Sequence, residues 1–155
     1  MGYNAIDLIN RAIDIAARKK NIYINIGKRK SDIQSIEIVS TVLIRQIDNT
    51  IKYYETLKNQ LTNENLEDID FGIYDKISFL INEFNSRLYE PQINNTRDFL
   101  KFLLASEKET YSLLVDIQGR FVKSFSDIDT KTYKMLTNVI NNKTSFISTL
   151  EKLLK

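Results

Sequence analysis

Apolar residues recur at steps of three and four along almost the whole chain, which is the period of a helix face and not the alternation of a half-buried strand. The spacing predicts four long helices. The first, over 5–26, turns Ile6, Ile9, Ile13, Ala16, Lys20 and Tyr23 inward. Asn4 is placed to cap it, Asp7 suits its positive end, and Gly27 is expected to stop it. The second, over 32–60, follows Ser31 and Gln34, which have the form of a capping box, and carries the stripe Ile36, Leu43, Ile47, Thr50, Tyr54, Leu57 and Leu61. The third, over 97–121, follows a cap at Asn95 or Thr96 and carries Leu100, Leu103, Glu107, Thr110, Leu114, Ile117 and Phe121. The fourth, over 131–154, carries Tyr133, Leu136, Val139, Lys143, Phe146, Leu150 and Leu153.

Short links, 27–30 and 126–130, make the first two and the last two helices antiparallel pairs. Between the pairs lies a long connection with a shorter helix of its own, over 71–88, stopped by Pro91. Such a connection can cross a bundle from one end to the other. The expectation is a single all-α domain over 1–155, an antiparallel four-helix bundle with a crossover that holds a short extra helix.

Two charges interrupt these stripes. Glu107 and Lys143 fall where a bundle helix should be apolar, and a polar residue in a core stripe is the kind of exception that marks a site. Lys143 has an alternative, to lay its stem on the core and carry its ammonium to the surface.

Composition narrows the chemistry. The chain has no Cys and no His, which removes disulfides, thiolate catalysis, a Ser-His-Asp triad and the commonest nitrogen ligand for metals. Any metal site has to be built from oxygen ligands. The acidic run Glu64, Glu67, Asp68 and Asp70 lacks the alternating ligands and central Gly of a calcium loop and reads as a solvated turn. A net charge of +2 gives no electrostatic reason to expect nucleic acid or an acidic membrane. The basic cluster Arg18, Lys19, Lys20, Lys28, Arg29 and Lys30 lacks interleaved aromatics and reads as a solvated helix end. With no signal-like start and no apolar run long enough to span a bilayer, the expected location is cytoplasmic.

Four phrases carry a family resemblance: Ala12-Ile13-Asp14-Ile15 with Ile22-Tyr23, Ile51-Lys52-Tyr53-Tyr54-Glu55-Thr56-Leu57, Leu104-Ala105-Ser106-Glu107-Lys108-Glu109-Thr110-Tyr111, and Ile147-Ser148-Thr149-Leu150-Glu151-Lys152-Leu153. In these the chain resembles the rubrerythrin branch of the ferritin-like superfamily, over most of the four long helices but not the crossover. The resemblance implies a two-iron site made by a Glu from helix one, a Glu-x-x-His from helix two, a Glu from helix three and a Glu-x-x-His from helix four. Carried over, those positions are Ala16, Ile47 with Thr50, Glu107, and Lys143 with Phe146. Only Glu107 is a ligand. The resemblance therefore implies a bundle that has lost its metal, with no cofactor, and with a buried Glu107–Lys143 ion pair in place of the iron.

Three functional readings follow. The leading one is a metal-free structural or interaction module, not an enzyme, whose partner is a second copy or another protein; Ile24, Ile44 and Leu113 are the candidate contacts. The second is a metal-handling or oxidoreductase protein with a displaced carboxylate site, Glu107 joined by Asp14, Asp48, Glu109 or Asp116. The third is an internal pocket left by the short side chains Ala16 and Thr50, with Glu107, Thr50 and Thr110 converging on it.

Overall fold

The computed structural model describes residues 2–155. It is all-helical: α1 (Ala5–Arg29), α2 (Gln34–Thr62), α3 (Phe71–Ser86), α4 (Thr96–Gly119) and α5 (Lys131–Leu153), with a 3-10 turn at Phe125–Asp129 before α5. No strand forms among the described residues, and a single isolated bridge joins Tyr3 to Ile69. No described helix is long and apolar enough to cross a membrane.

Local chemistry sets most helix starts. Asn4 accepts from the Ile6 amide and Asp7 returns a bond to the Asn4 amide, closing a capping box on α1. Asp70, Asn95 and Thr130 cap α3, α4 and α5 more simply, each accepting from one amide, of Ile73, Asp98 and Tyr133. The exception is α2. Ser31 and Gln34 do not form the expected box; the helix begins two residues later than expected, with Ile33 as its cap and no side-chain bond there.

Gly27 corrects a second expectation. It does not end α1, which runs on to Arg29, and no described glycine has a positive φ. Its role is proximity. A Cβ at Gly27 would lie 2.4 Å from Ser40 Oγ, and the Ser40 hydroxyl donates to the Tyr23 carbonyl at 3.0 Å. The missing side chain lets α1 and α2 touch near their shared end.

Side-chain contacts fix the directions of the helices. Tyr23 meets Ser40 while Lys20 meets Asp48, so α1 and α2 run antiparallel. Gln118 reaches Thr137 while Lys108 reaches Glu151, so α4 and α5 do too. α3 lies on the flank of this assembly, held by Arg11 bonds to Ser78 and Asn82.

The interior divides into two apolar clusters. One holds Leu8, Ile15, Tyr54, Ile77, Leu114 and Ile140; the other holds Tyr23, Ile36, Ile47, Leu103 and Leu150. Between them, at about the same level on four helices, sit Lys19, Thr50, Glu107 with Thr110, and Lys143, all buried. A polar layer therefore separates two apolar cores.

The burial pattern also shifts part of the expected α1 face. Ile15 and Lys19 are buried, whereas Ile13 and Lys20 are only half-buried. The apolar arc of α1 is wide because the helix packs on several neighbours, so a step of three from Ala16 competes with a step of four. On α5, Leu153 is exposed at the frayed end of its stripe. The candidate contacts fare poorly as surface: Leu113 is buried and Ile24 and Ile44 are half-buried, so none forms an exposed apolar patch.

Candidate functional site

α4 supplies the centre of the polar layer. Glu107 is 1% exposed, and its two carboxylate oxygens are taken by ammonium groups from different helices. Lys19 Nζ of α1 lies 2.7 Å from Oε1, and Lys143 Nζ of α5 lies 2.5 Å from Oε2. Tyr23, one turn beyond Lys19 on the same face, donates its hydroxyl to Oε1 at 3.2 Å. Lys19 also donates to Thr110 Oγ1 at 2.9 Å, and the Thr110 hydroxyl in turn donates to the Ser106 carbonyl at 3.0 Å. Lys19 is 3% and Lys143 8% exposed. Lys143 does not snorkel.

The electrostatics follow from that stoichiometry. Burial alone would raise the Glu107 carboxyl, but the two ammoniums overcome it and hold the group down at about 2. Lys19 loses more by burial than Glu107 returns, and the charge of Lys143 adds to the loss, so its ammonium falls to about 8. For Lys143, Glu107 outweighs burial and the group is raised. Burial, with Glu107 nearby, raises Tyr23 well above its ordinary value, and burial raises Tyr54. At neutral pH the layer therefore holds two cations, one anion and neutral phenols.

The other carried-over positions take ordinary structural places. Ile47 is buried in the second apolar cluster, and Ala16 and Phe146 pack against it. Thr50 returns its hydroxyl to the Gln46 carbonyl in its own helix at 3.0 Å. None offers a free donor atom to an ion. An iron pair does not fit these six positions: three lack ligand atoms, one is a hydroxyl bonded to its own helix, one is a cation, and the one carboxylate is already engaged at both oxygens.

The displaced carboxylates do not gather round Glu107 either. Asp48 pairs with Lys20 at 2.7 Å and Asp116 with Arg120 at 3.5 Å, while Asp14 and Glu109 are exposed. Glu109 and Asp116 line a groove of about 710 Å³ between α3 and α4, on the outer side of α4. Among the described residues no three metal-ligating side chains cluster. The groups expected to converge on an internal pocket, Glu107, Thr50 and Thr110, are instead bonded to Lys19, Lys143, Tyr23 and their own helices.

Lys19 is the residue that sequence reasoning misplaced. It belongs to the layer, not to the solvated basic cluster. Its one sequence signal is the four-residue step to Tyr23, which puts both on one face. The acidic turn is also more than solvated. Glu67 accepts from the Thr132 amide and hydroxyl at 3.2 and 3.3 Å, and Glu64 lies 3.8 Å from Lys131.

Comparison with protein-family models, with curated proteins and with solved structures gives no match.

Proposed function

We propose that the chain is a degenerate, metal-free bundle of the ferritin-like, rubrerythrin-like type that works as a structural or protein-interaction module, with no catalytic role and no cofactor. The observation that carries this reading is the shared carboxylate: two lysine ammoniums from different helices close on Glu107, at the level where the resemblance puts iron ligands. A site that attracts cations cannot be furnished with two ammoniums and three side chains that lack ligand atoms. The pairing of α1 with α2 and α4 with α5, and the helix within the crossover, agree with the same reading.

The layer has a structural task in this proposal. Apolar helix faces slide past one another at little cost, whereas a buried charge that leaves its partner is penalised by several kcal/mol. Lys19, Glu107 and Lys143 therefore hold α1, α4 and α5 in one register, as buried polar groups do in coiled coils.

Anaerobic incubation with ferrous iron tests the reading. No retained iron and an unchanged melting temperature are expected. About two irons per chain, with a melting temperature that rises on loading and a rise that Glu107→Gln abolishes, would overturn it.

A further inference from the structure

The outer face of α2 carries charges that pair with no other described side chain. Glu37, Thr41 and Arg45 are exposed and stand at successive steps of four, so they form one line along the helix. Glu37 and Arg45 are about 12 Å apart along α2, too far to pair with each other. Neither makes an ion pair with any other described residue. Opposite charges thus sit at equal distances on either side of Thr41.

Beside that line lie Ile38 and Val42, 56% and 57% exposed. They edge an open groove of about 510 Å³ between α2 and α5, floored by Leu43, Phe146 and Leu150, and no charged side chain lines it. Between Asn138 and Thr149 the exposed residues of α5 are all uncharged, Asn138, Asn141, Thr144, Ser145, Ser148 and Thr149, and Lys143 turns inward; the exposed charges Lys134, Glu151 and Lys152 lie towards the two ends of the helix. In a chain with 27% charged residues this is an unusual face.

We propose that this face joins two copies of the chain in a symmetric dimer whose two-fold axis passes at Thr41, so that Glu37 of each copy meets Arg45 of the other and Ile38 and Val42 are covered. A two-fold interface sets each surface against itself, so residues near the axis face their own kind. A charge there would repel its copy. Here the axis falls on a threonine, the nearest side chains are apolar, and the first charges outward are opposite and equidistant. Antiparallel crossing of the two α2 helices then makes two ion pairs, one on each side of the axis. The complementarity is with a second copy, since a partner of different sequence has no reason to match a pattern centred on Thr41. The proposal gives the interaction module of the preceding reading its first partner. A monomer would leave the iron result untouched, so the two fail separately.

Sedimentation equilibrium of the full chain, from about 1 to about 300 µM, should show mass rising from 18.1 kDa towards twice that value. Glu37→Arg and Arg45→Glu should each weaken association at least about tenfold, because each places like charges opposite one another twice. Mixing these two variants should restore it, because each copy then meets opposite charges, and the double variant should behave as the parent. Val42→Glu should be monomeric with unchanged helical circular dichroism, since the side chain is exposed. A parent that stays monomeric throughout overturns the proposal. So does a dimer indifferent to Val42→Glu, and so does a loss in the single variants that mixing fails to repair.

Discussion

Lys19 and Lys143, from helices at opposite ends of the sequence, hold the two oxygens of one carboxylate, at 2.7 and 2.5 Å. Each is therefore the other's reserve. In Lys143→Met the carboxylate keeps Lys19, and in Lys19→Met it keeps Lys143. Each single substitution should cost no more than about 2 kcal/mol, since the buried charges left behind still balance. In the double variant Glu107 is buried with no counter-charge, and the loss should be about 3–5 kcal/mol and exceed the sum of the singles. Urea unfolding of the four proteins in this cycle measures the coupling. Additive losses would mean that the two lysines do not share the group.

Removing the anion is the harsher change. Glu107→Gln leaves two ammoniums facing each other in an apolar interior, and a loss of about 3–5 kcal/mol is expected, on the order of 10 °C in melting temperature for a domain of this size. Adding Lys19→Met and Lys143→Met to Glu107→Leu removes every charge and should recover the parent stability or exceed it. Thermal melts of these two variants separate a layer kept for register from one kept for stability. A triple variant that melts at the parent temperature yet shows broadened amide spectra is the expected signature of lost register.

The pH dependence has a sign that can be worked out. Glu107 is depressed to about 2 from 4.5, so its contribution is present above pH 4.5 and is lost as pH falls towards 2. Lys19 behaves in the opposite sense to a stabilised lysine. Its ammonium falls to about 8 from 10.5, so between those values the unfolded chain binds the extra proton. Stability should therefore rise from pH 8 upward, by as much as about 3 kcal/mol if Lys19 acts alone. Tyr23 and Tyr54 end the rise. Their folded values are raised above 10, so stability falls once unfolded tyrosines ionise. Unfolding free energies at pH 7, 8, 9 and 10 should climb in the parent and stay level in Lys19→Met. A flat parent profile would show that Lys19 is not buried as a cation.

The helices and two of the three charges in the layer are legible in the sequence, for one reason: each is an interruption or a continuation of a strong period. Glu107 and Lys143 are conspicuous because they break apolar stripes, and both are buried. Lys19 is not legible in that way. It stands among Arg18 and Lys20, and a helix with 3.6 residues per turn leaves the steps Ala16 to Lys19 and Ala16 to Lys20 equally open. Only the carboxylate on α4 chooses between them. Gly27 misleads for a different reason: a glycine near a helix end commonly marks a stop, and nothing local reports that Ser40 lies against it. Ser31 and Gln34 satisfy the capping pattern, yet a backbone turn closed by the Ile33 amide on the Lys30 carbonyl comes first and α2 begins at Gln34.

Glu67 shows that the acidic turn before α3 has a structural use. Its carboxylate accepts from the Thr132 amide in the first turn of α5, where helix amides lack internal partners and the dipole favours a negative charge. Glu67→Ala should destabilise the chain by about 1 kcal/mol, and Glu67→Gln by less, because the amide oxygen can still accept. Thermal melts in low and high salt read both parts: the loss in each variant relative to the parent should shrink in high salt, while the difference between the two variants, which is the retained hydrogen bond, should persist.

Gly27→Ala gives the last prediction a sign opposite to intrinsic preference. Alanine is the better helix former by about 1 kcal/mol, and Gly27 lies inside α1 without a positive φ. An exposed glycine in that setting would be improved by the change. Here the new methyl would stand 2.4 Å from Ser40 Oγ and 2.9 Å from Ser40 Cβ, so the helices must part or the serine must turn away. Turning it away breaks its bond to the carbonyl of Tyr23, the residue whose hydroxyl donates to Glu107. A net loss of about 1–3 kcal/mol is expected. Ser40→Gly in the same chain clears the clash and should recover part of that loss, although Ser40→Gly alone is destabilising. Chemical denaturation of the two single variants and the double variant measures this, and a Gly27→Ala variant more stable than the parent would show that α1 and α2 do not approach so closely.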